Sequence, residues 1–226
     1  MSTALVDIRK RLAAERQAVA TRAVPASNVY ISTQGRKFTF PDGRITTNPI
    51  KAVVVDFRYR HEFYRGAYTP GKPKPPVCWA INPVLDDMAP SDRAPEKQAD
   101  ACAGCPLNEF GSAPNGRGKA CKNTRVIAIV PADATDKTTP LLLSVSPKGT
   151  GAFDELVRTL PNVPGTADQA SLLETEVEIG FDPGNTAFPI LTFKPLRLLE
   201  EKEVGVMLDL KDKAQDALDR EPRLDD

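Results

Sequence analysis

Four cysteines are the residues whose type and spacing suggest chemistry. They fall as Cys78-x23-Cys102-x2-Cys105-x15-Cys121 in a 226-residue chain. In Cys102-Ala-Gly-Cys105 a two-residue gap lets both thiolates face one ion, and Gly104 relaxes the turn between them. Four such sulfurs satisfy a tetrahedral zinc ion at about 2.3 Å each. The same donor set accepts an iron–sulfur cluster. A redox Cys-x-x-Cys pair would open a helix after a strand, and Pro106 in an irregular stretch argues against that. The expectation is therefore structural Zn2+ held by Cys78, Cys102, Cys105 and Cys121, with all four positions filled and none left for a catalytic water.

Other candidate chemistry is thin. His61 is the only histidine, and no serine or cysteine nucleophile is paired with it. It reads as a surface residue. Residues 113–120 resemble a phosphate-binding loop, but Ala120 replaces the hydroxyl that would hold Mg2+. They read instead as a basic lip of the cysteine segment. Glu200-Glu201-Lys202 lacks the strand aspartate of a nuclease site, and the loop acids Asp86, Asp87, Asp92 and Asp100 read as solvated. The protein is expected not to be an enzyme.

Charge and aromatic residues are segregated. Formal net charge is zero, with 30 basic and 30 acidic residues. Residues 51–74 nevertheless carry six basic against two acidic residues, while residues 200–226 carry ten acidic against five basic. Nearly half of the aromatics lie between residues 57 and 79. Phe57, Tyr59, Phe63, Tyr64, Tyr68 and Trp79 interleave there with Arg58, Arg60, Arg65, Lys72 and Lys74. Basic grooves with aromatic platforms bind single-stranded nucleic acid without sequence preference. The candidate contacts are Arg58, Tyr59, Arg60, Phe63, Tyr64, Arg65, Tyr68, Lys72, Lys74 and Trp79, joined by Arg117, Lys119 and Lys122 of the basic lip.

The elements that position these residues are short. Twenty-one prolines interrupt helices and central strands. Residues 3–22 have helical spacing and form an N-terminal arm (1–27). Residues 29–31 and 37–40 suggest a hairpin, with 45–46 returning. Residues 51–59 are a strong strand, in which Arg58 and Arg60 face away from Phe57 and Tyr59. Residues 61–123 lack regular structure, and a metal would organise them. Strands follow at 126–130, 141–145, 174–181 and 190–193. A helix spans 150–160 with Phe153, Leu156, Val157 and Leu160 inward. Residues 200–219 form a helix, apolar at Val204, Met207, Leu208 and Leu218, before an acidic tail expected to be disordered. This pattern predicts a mainly β (α+β) fold, an OB-like Greek-key barrel over 28–199 with a zinc-binding insertion at 61–123 and helices at both termini. A ferredoxin-like sheet would fit the same elements. No signal peptide and no membrane span are apparent, so a cytoplasmic protein is expected.

Three stretches carry a family likeness: Pro75-Pro76-Val77-Cys78-Trp79, Cys102-Ala-Gly-Cys105-Pro106-Leu-Asn-Glu-Phe110-Gly111-Ser112, and Gly118-Lys119-Ala120-Cys121-Lys122. With the strand and helix that follow, residues 51–193 resemble a group of tailed-bacteriophage single-stranded DNA-binding proteins with an OB-type barrel and a four-cysteine zinc insertion. The resemblance implies single-stranded DNA as ligand, a role in phage replication or recombination inside the host cell, and an acidic C-terminus that recruits partner proteins. Two other readings keep the cysteines: a four-cysteine iron–sulfur or zinc nuclease or other DNA-processing enzyme, and a zinc-containing protein-interaction adaptor.

Overall fold

The valine-rich run at 52–55 dictates extended backbone buried on both faces, and it forms the spine of the molecule. The computed structural model describes residues 29–66 and 74–222. The expected N-terminal helix, Tyr68, Lys72 and the last four residues lie outside the described residues. The strands are β1 (Tyr30–Ile31), β2 (Phe38–Thr39), β3 (Ile45–Thr46), β4 (Ile50–Phe63), β5 (Cys78–Asn82), β6 (Lys122–Val130), β7 (Leu141–Val145), β8 (Thr175–Phe181) and β9 (Leu191–Leu198). Helix α1 (Thr150–Arg158) separates β7 from β8, and α2 (Glu201–Leu218) follows β9.

Seven strands form one sheet in the order β1-β7-β6-β4-β8-β9, with β5 also on β4. Strand β4 is 14 residues long and serves three partners. One edge pairs with β6 from Val53 to Glu62. The other pairs with β8 from Ile50 to Val53, then with β5 from Tyr59 to Phe63. A register shift between Val54 and Asp56 marks a bulge. Bulges bend a strand and increase its twist, and here the sheet curls into a half-barrel. The fold is thus mainly β with two helices, as the patterning predicts.

Each face of the sheet has its own core. Ala52, Val54, Ile127, Leu143, Val177 and Ile179 face inward with Phe153 and Leu156 of α1. The Phe153 ring meets Phe57 at 5.1 Å and Phe193 at 5.4 Å, both edge-on. On the outer face Val53, Val55, Val126, Ala128 and Leu142 are covered by Met207, Leu210, Ala214 and Leu218 of α2. Those four helix positions are spaced 3, 4 and 4, one stripe of an α-helix. This corrects the expected stripe, because Leu208 is 51% exposed. The helix starts with a capping box in which the Glu200 N–H donates to Glu203 Oε2 at 2.7 Å.

One pairing differs from the sequence expectation. Residues 29–31 form no ladder with 37–40; an isolated bridge joins the neighbouring Ser32 to Thr39. Strand β1 instead lies parallel to β7, with Tyr30 opposite Leu142, and β2 forms its hairpin with β3. Strand β4 also continues to Phe63, so the irregular segment starts later than expected.

Candidate functional site

Strand pairing brings two of the cysteines to the end of β4. Cys78 opens β5 opposite Phe63. Cys121 immediately precedes Lys122, which opposes Glu62 from β6. The other two arrive on the loop between. The Cys102 N–H donates to the Met88 carbonyl at 2.9 Å, and Cys105 N–H turns back to the Cys102 carbonyl at 3.4 Å. Gly104 between them has φ +75° with open space around its Cβ position. The left-handed backbone, not crowding, is what requires glycine there. Pro106 starts a 3-10 turn (Pro106–Asn108), and Leu107 accepts the Cys121 N–H at 2.8 Å. Asn108 Nδ2 clamps the Cys102 carbonyl at 3.0 Å.

All four cysteines line one cavity of about 20 Å³, together with His61, Phe63 and Trp79. That space holds a water-sized sphere. Burial first, then repulsion from the neighbouring cysteines, pushes the Cys102 thiol up to about 11 and Cys121 to about 12. In the metal-free chain these are protonated thiols at neutral pH. Among the described residues no group of three or more His, Cys, Asp or Glu side chains is already arranged to hold a metal ion. The donor chemistry fits a soft four-coordinate ion: four sulfurs and no carboxylate on an otherwise largely apolar wall. Such an ion must displace thiol protons, so its binding weakens as pH falls.

The predicted nucleic-acid contacts divide into two groups. Arg58 is corrected from DNA contact to structural clamp. Its side chain is 5% exposed and donates to Asp56 Oδ2 at 2.9 Å and Asp219 Oδ1 at 2.6 Å. Burial opposes its charge, but those hydrogen bonds raise its pKa overall. Trp79 is also corrected, because at 2% exposure it offers no face for a base. His61, expected on the surface, is 3% exposed. Burial, then Lys119 and Arg125, lowers it to about 4.

Several neighbours are engaged as well. Arg60 donates to the Arg220 carbonyl at 2.9 Å. The Tyr59 ring lies under the Arg125 guanidinium at 4.1 Å and packs with Ala80, Met88 and Cys102. Phe63 walls the cysteine cavity. Tyr64 donates to Glu62 at 2.9 Å, and Lys122 Nζ stands 5.1 Å from its ring centre. Burial, then Glu62, raises the Tyr64 phenol. Arg65 pairs with Glu96. Lys74 is exposed.

The exposed cations Arg117, Lys119 and Lys122 gather on a lobe formed by residues 109–122. The lobe is closed by its own hydrogen bonds. Gly111 N–H donates to the Gly118 carbonyl at 2.7 Å, Arg117 N–H to Asn115 Oδ1 at 3.0 Å and Ala120 N–H to Ser112 Oγ at 2.9 Å. These amides are spent internally, so the stretch is no phosphate cradle. Sequence reasoning missed Phe110, which is 83% exposed at this lobe. It also missed Phe188 on the β8–β9 connection, 58% exposed with Lys148 Nζ 5.0 Å from its ring centre. The only signal for Phe110 is a lone aromatic followed by glycine, outside any strand or helix period.

The C-terminus is tied down further than its composition suggests. Glu221 accepts from Ser91 Oγ and stands 3.3 Å from Arg93. The expected disordered acidic tail is therefore ordered at least to this residue. No helix among the described residues is long and apolar enough to cross a membrane. No protein-family model, curated relative or solved structure matches the chain.

Proposed function

We propose that the protein binds single-stranded DNA without sequence preference, through a zinc-braced basic lobe on an OB-like barrel. The observation that carries this reading is Phe110. A phenylalanine 83% exposed, next to Gly111, whose N–H bonds the Gly118 carbonyl between Arg117 and Lys119, combines a stacking surface with phosphate-binding charge. Cys78, Cys102, Cys105 and Cys121 hold a structural Zn2+ that supplies the loop with the stability its sparse apolar content does not.

The strand order supports the OB-like part. A long bent β4 pairs on both edges, β6 and β7 follow, a helix intervenes, and β8 and β9 return to the other edge. OB barrels bind ligands on a sheet face and on the flanking loops. Here α2 occupies the outer face of β4, β6 and β7, so the contacts are assigned to loops. Arg65, Lys74, Arg117, Lys119 and Lys122 remain as exposed cations, with Phe110 added and Arg58 and Trp79 removed. Asp219 and Glu221 are occupied by Arg58 and by Ser91 and Arg93, so recruitment of replication or recombination proteins by the acidic C-terminus rests on its other acids, among them the exposed Asp209, Asp212 and Asp216 of α2.

Fluorescence anisotropy of a labelled oligo-dT, titrated at several salt concentrations, tests the reading. Phe110→Ala is expected to weaken binding by about 1–3 kcal/mol, roughly 5- to 150-fold, the contribution of one stacked base. Absence of binding by the unmodified protein at low salt would sink it. Brown protein that cleaves DNA would favour the iron–sulfur nuclease reading. Zinc without DNA affinity would favour the adaptor.

A further inference from the structure

The cysteine cavity contains one potential metal donor more than a tetrahedral ion uses. His61 stands on β4 opposite Ala80 of β5 and Asn123 of β6, and it lines the same cavity as the four cysteines. It is 3% exposed, and neither ring nitrogen has a hydrogen-bond partner among the described residues. A neutral imidazole has one N–H and one lone pair. Leaving buried polar groups unpaired costs about 1–3 kcal/mol each, so this ring is poorly explained as a packing residue.

A second idle group stands across the strand. Asn123 Oδ1 is buried without a partner among the described residues, while its Nδ2 donates to Asn108 Oδ1 at 2.9 Å. Asn108 is held in turn by Lys119 Nζ at 3.2 Å and by the Cys102 carbonyl. The carboxamide is therefore oriented with its oxygen left over. An imidazole N–H donated to that oxygen would satisfy both groups and leave the other ring nitrogen as a metal donor. Metal-bound histidines usually have such a partner, which fixes tautomer and ring orientation.

Resting on the zinc reading above, we propose that His61 is a fifth donor of the centre, oriented by Asn123 and able to replace Cys121 in the coordination sphere. Cys121 is the one cysteine of the four that is not fully buried. It lies two residues before Asn123, the residue opposite His61, and lines the same cavity as His61. Cys102 and Cys105 share one turn and hold the loop, so neither is as readily spared.

Cobalt uptake by the full-length chain tests this, because Co2+ takes the same donors and its visible absorption reports sulfur against nitrogen ligation. The unmodified protein is expected to bind one equivalent with a four-thiolate spectrum, and His61→Phe to keep that spectrum. Cys121→Ala should still bind one equivalent, with absorption shifted to higher energy as one sulfur gives way to nitrogen. Adding His61→Phe to Cys121→Ala should abolish uptake. Adding Asn123→Leu instead should weaken it about 10- to 100-fold, the usual effect of losing such a partner. Equal cobalt affinity of Cys121→Ala with and without His61 would overturn the proposal alone. An unmodified protein that takes up no cobalt would overturn the zinc reading and the proposal with it. Far-UV circular dichroism of each variant distinguishes lost ligation from lost fold.

Discussion

The sheet and the cysteine insertion are held together by different physics. The sheet is covered on both faces: α1 fills the inside of the curl and α2 covers the outside. Each fully buried Leu, Ile or Phe there contributes about 1.5–3 kcal/mol. The loop from Val84 to Cys121 has Met88, Ala94, Cys102 and Cys105 as its buried apolar residues, while Val84, Leu85 and Phe110 are exposed. Its structure is a set of turns, pinned to the sheet through Ser91–Trp79 and Glu96–Val77 backbone bonds at 2.8 and 2.9 Å. One region folds by burial; the other buries little apolar surface, and under the zinc proposal an ion closes it. The exposed Phe110, Arg117 and Lys119 lie on this second region.

Removing the proposed metal would break the comparison most sharply. Structural zinc supplies roughly 10–16 kcal/mol of apparent binding energy in small zinc modules. Cys105→Ser, or chelation of the unmodified protein, should abolish amide protection across residues 84–121. The amides of β4, β6 and β7 should stay protected. Hydrogen exchange read by mass spectrometry checks this. Loss of protection in both regions together would show that they form one cooperative unit.

Phe153→Ala attacks the other region. The ring is fully buried and touches Phe57 and Phe193, so truncation should cost about 3–5 kcal/mol. The denaturation midpoint should fall while zinc stoichiometry at low denaturant stays the same. A variant that loses zinc without unfolding would place α1 and the metal loop in one unit.

How far these two regions can be read from sequence follows the same division. Strand β7, the helices and the core of β4 follow from local periodicity, and their bounds differ from expectation by few residues. The parallel pairing of β1 with β7 joins segments 112 residues apart, as Tyr30 and Leu142 show, and no local pattern encodes it. Arg58 looked like a free cation because its partner Asp219 is 161 residues away. Trp79 and His61 were misplaced because the insertion folds back over β5. The Cys102–Cys105 pair was legible from its spacing, and the fold brings Cys78 and Cys121 to the same cavity. Phe110 was not, since exposure of a lone aromatic depends on where a loop ends.

Arg58 joins the sheet to the end of α2 and tests their interface. Arg58→Met leaves Asp56 and Gln215 without their shared partner and should cost about 3 kcal/mol, the low end for breaking a buried pair because Asp219 is half-exposed. Asp56 gives the pH dependence. Burial raises its pKa, but hydrogen bonds from Arg58 and Gln215 outweigh that and hold it below the ordinary carboxylate value. A lowered folded pKa contributes stability that is present above the unfolded value, near 3.9, and is lost as pH falls through the folded value. Urea midpoints should therefore drop more steeply below about pH 4 in the unmodified protein than in Asp56→Asn. Parallel curves would remove Asp56 from the acid response.

The smallest expected effect separates charge from scaffold within the metal loop. Lys119 contributes an exposed ammonium to the lobe and also donates to Asn108 Oδ1 at 3.2 Å, the group that holds Asn123. As a phosphate contact it should release about 0.7 of a counterion, so Lys119→Ala should lower the salt slope of oligo-dT binding by about 0.7. As a brace alone it should leave that slope unchanged and raise exchange at residues 108 and 123. Lys119→Gln keeps a side-chain donor to Asn108 and removes the charge. If Gln restores the exchange pattern but not the slope, the two roles are separate. The lobe then binds through its charge, while the hydrogen bond to Asn108 holds that charge in place.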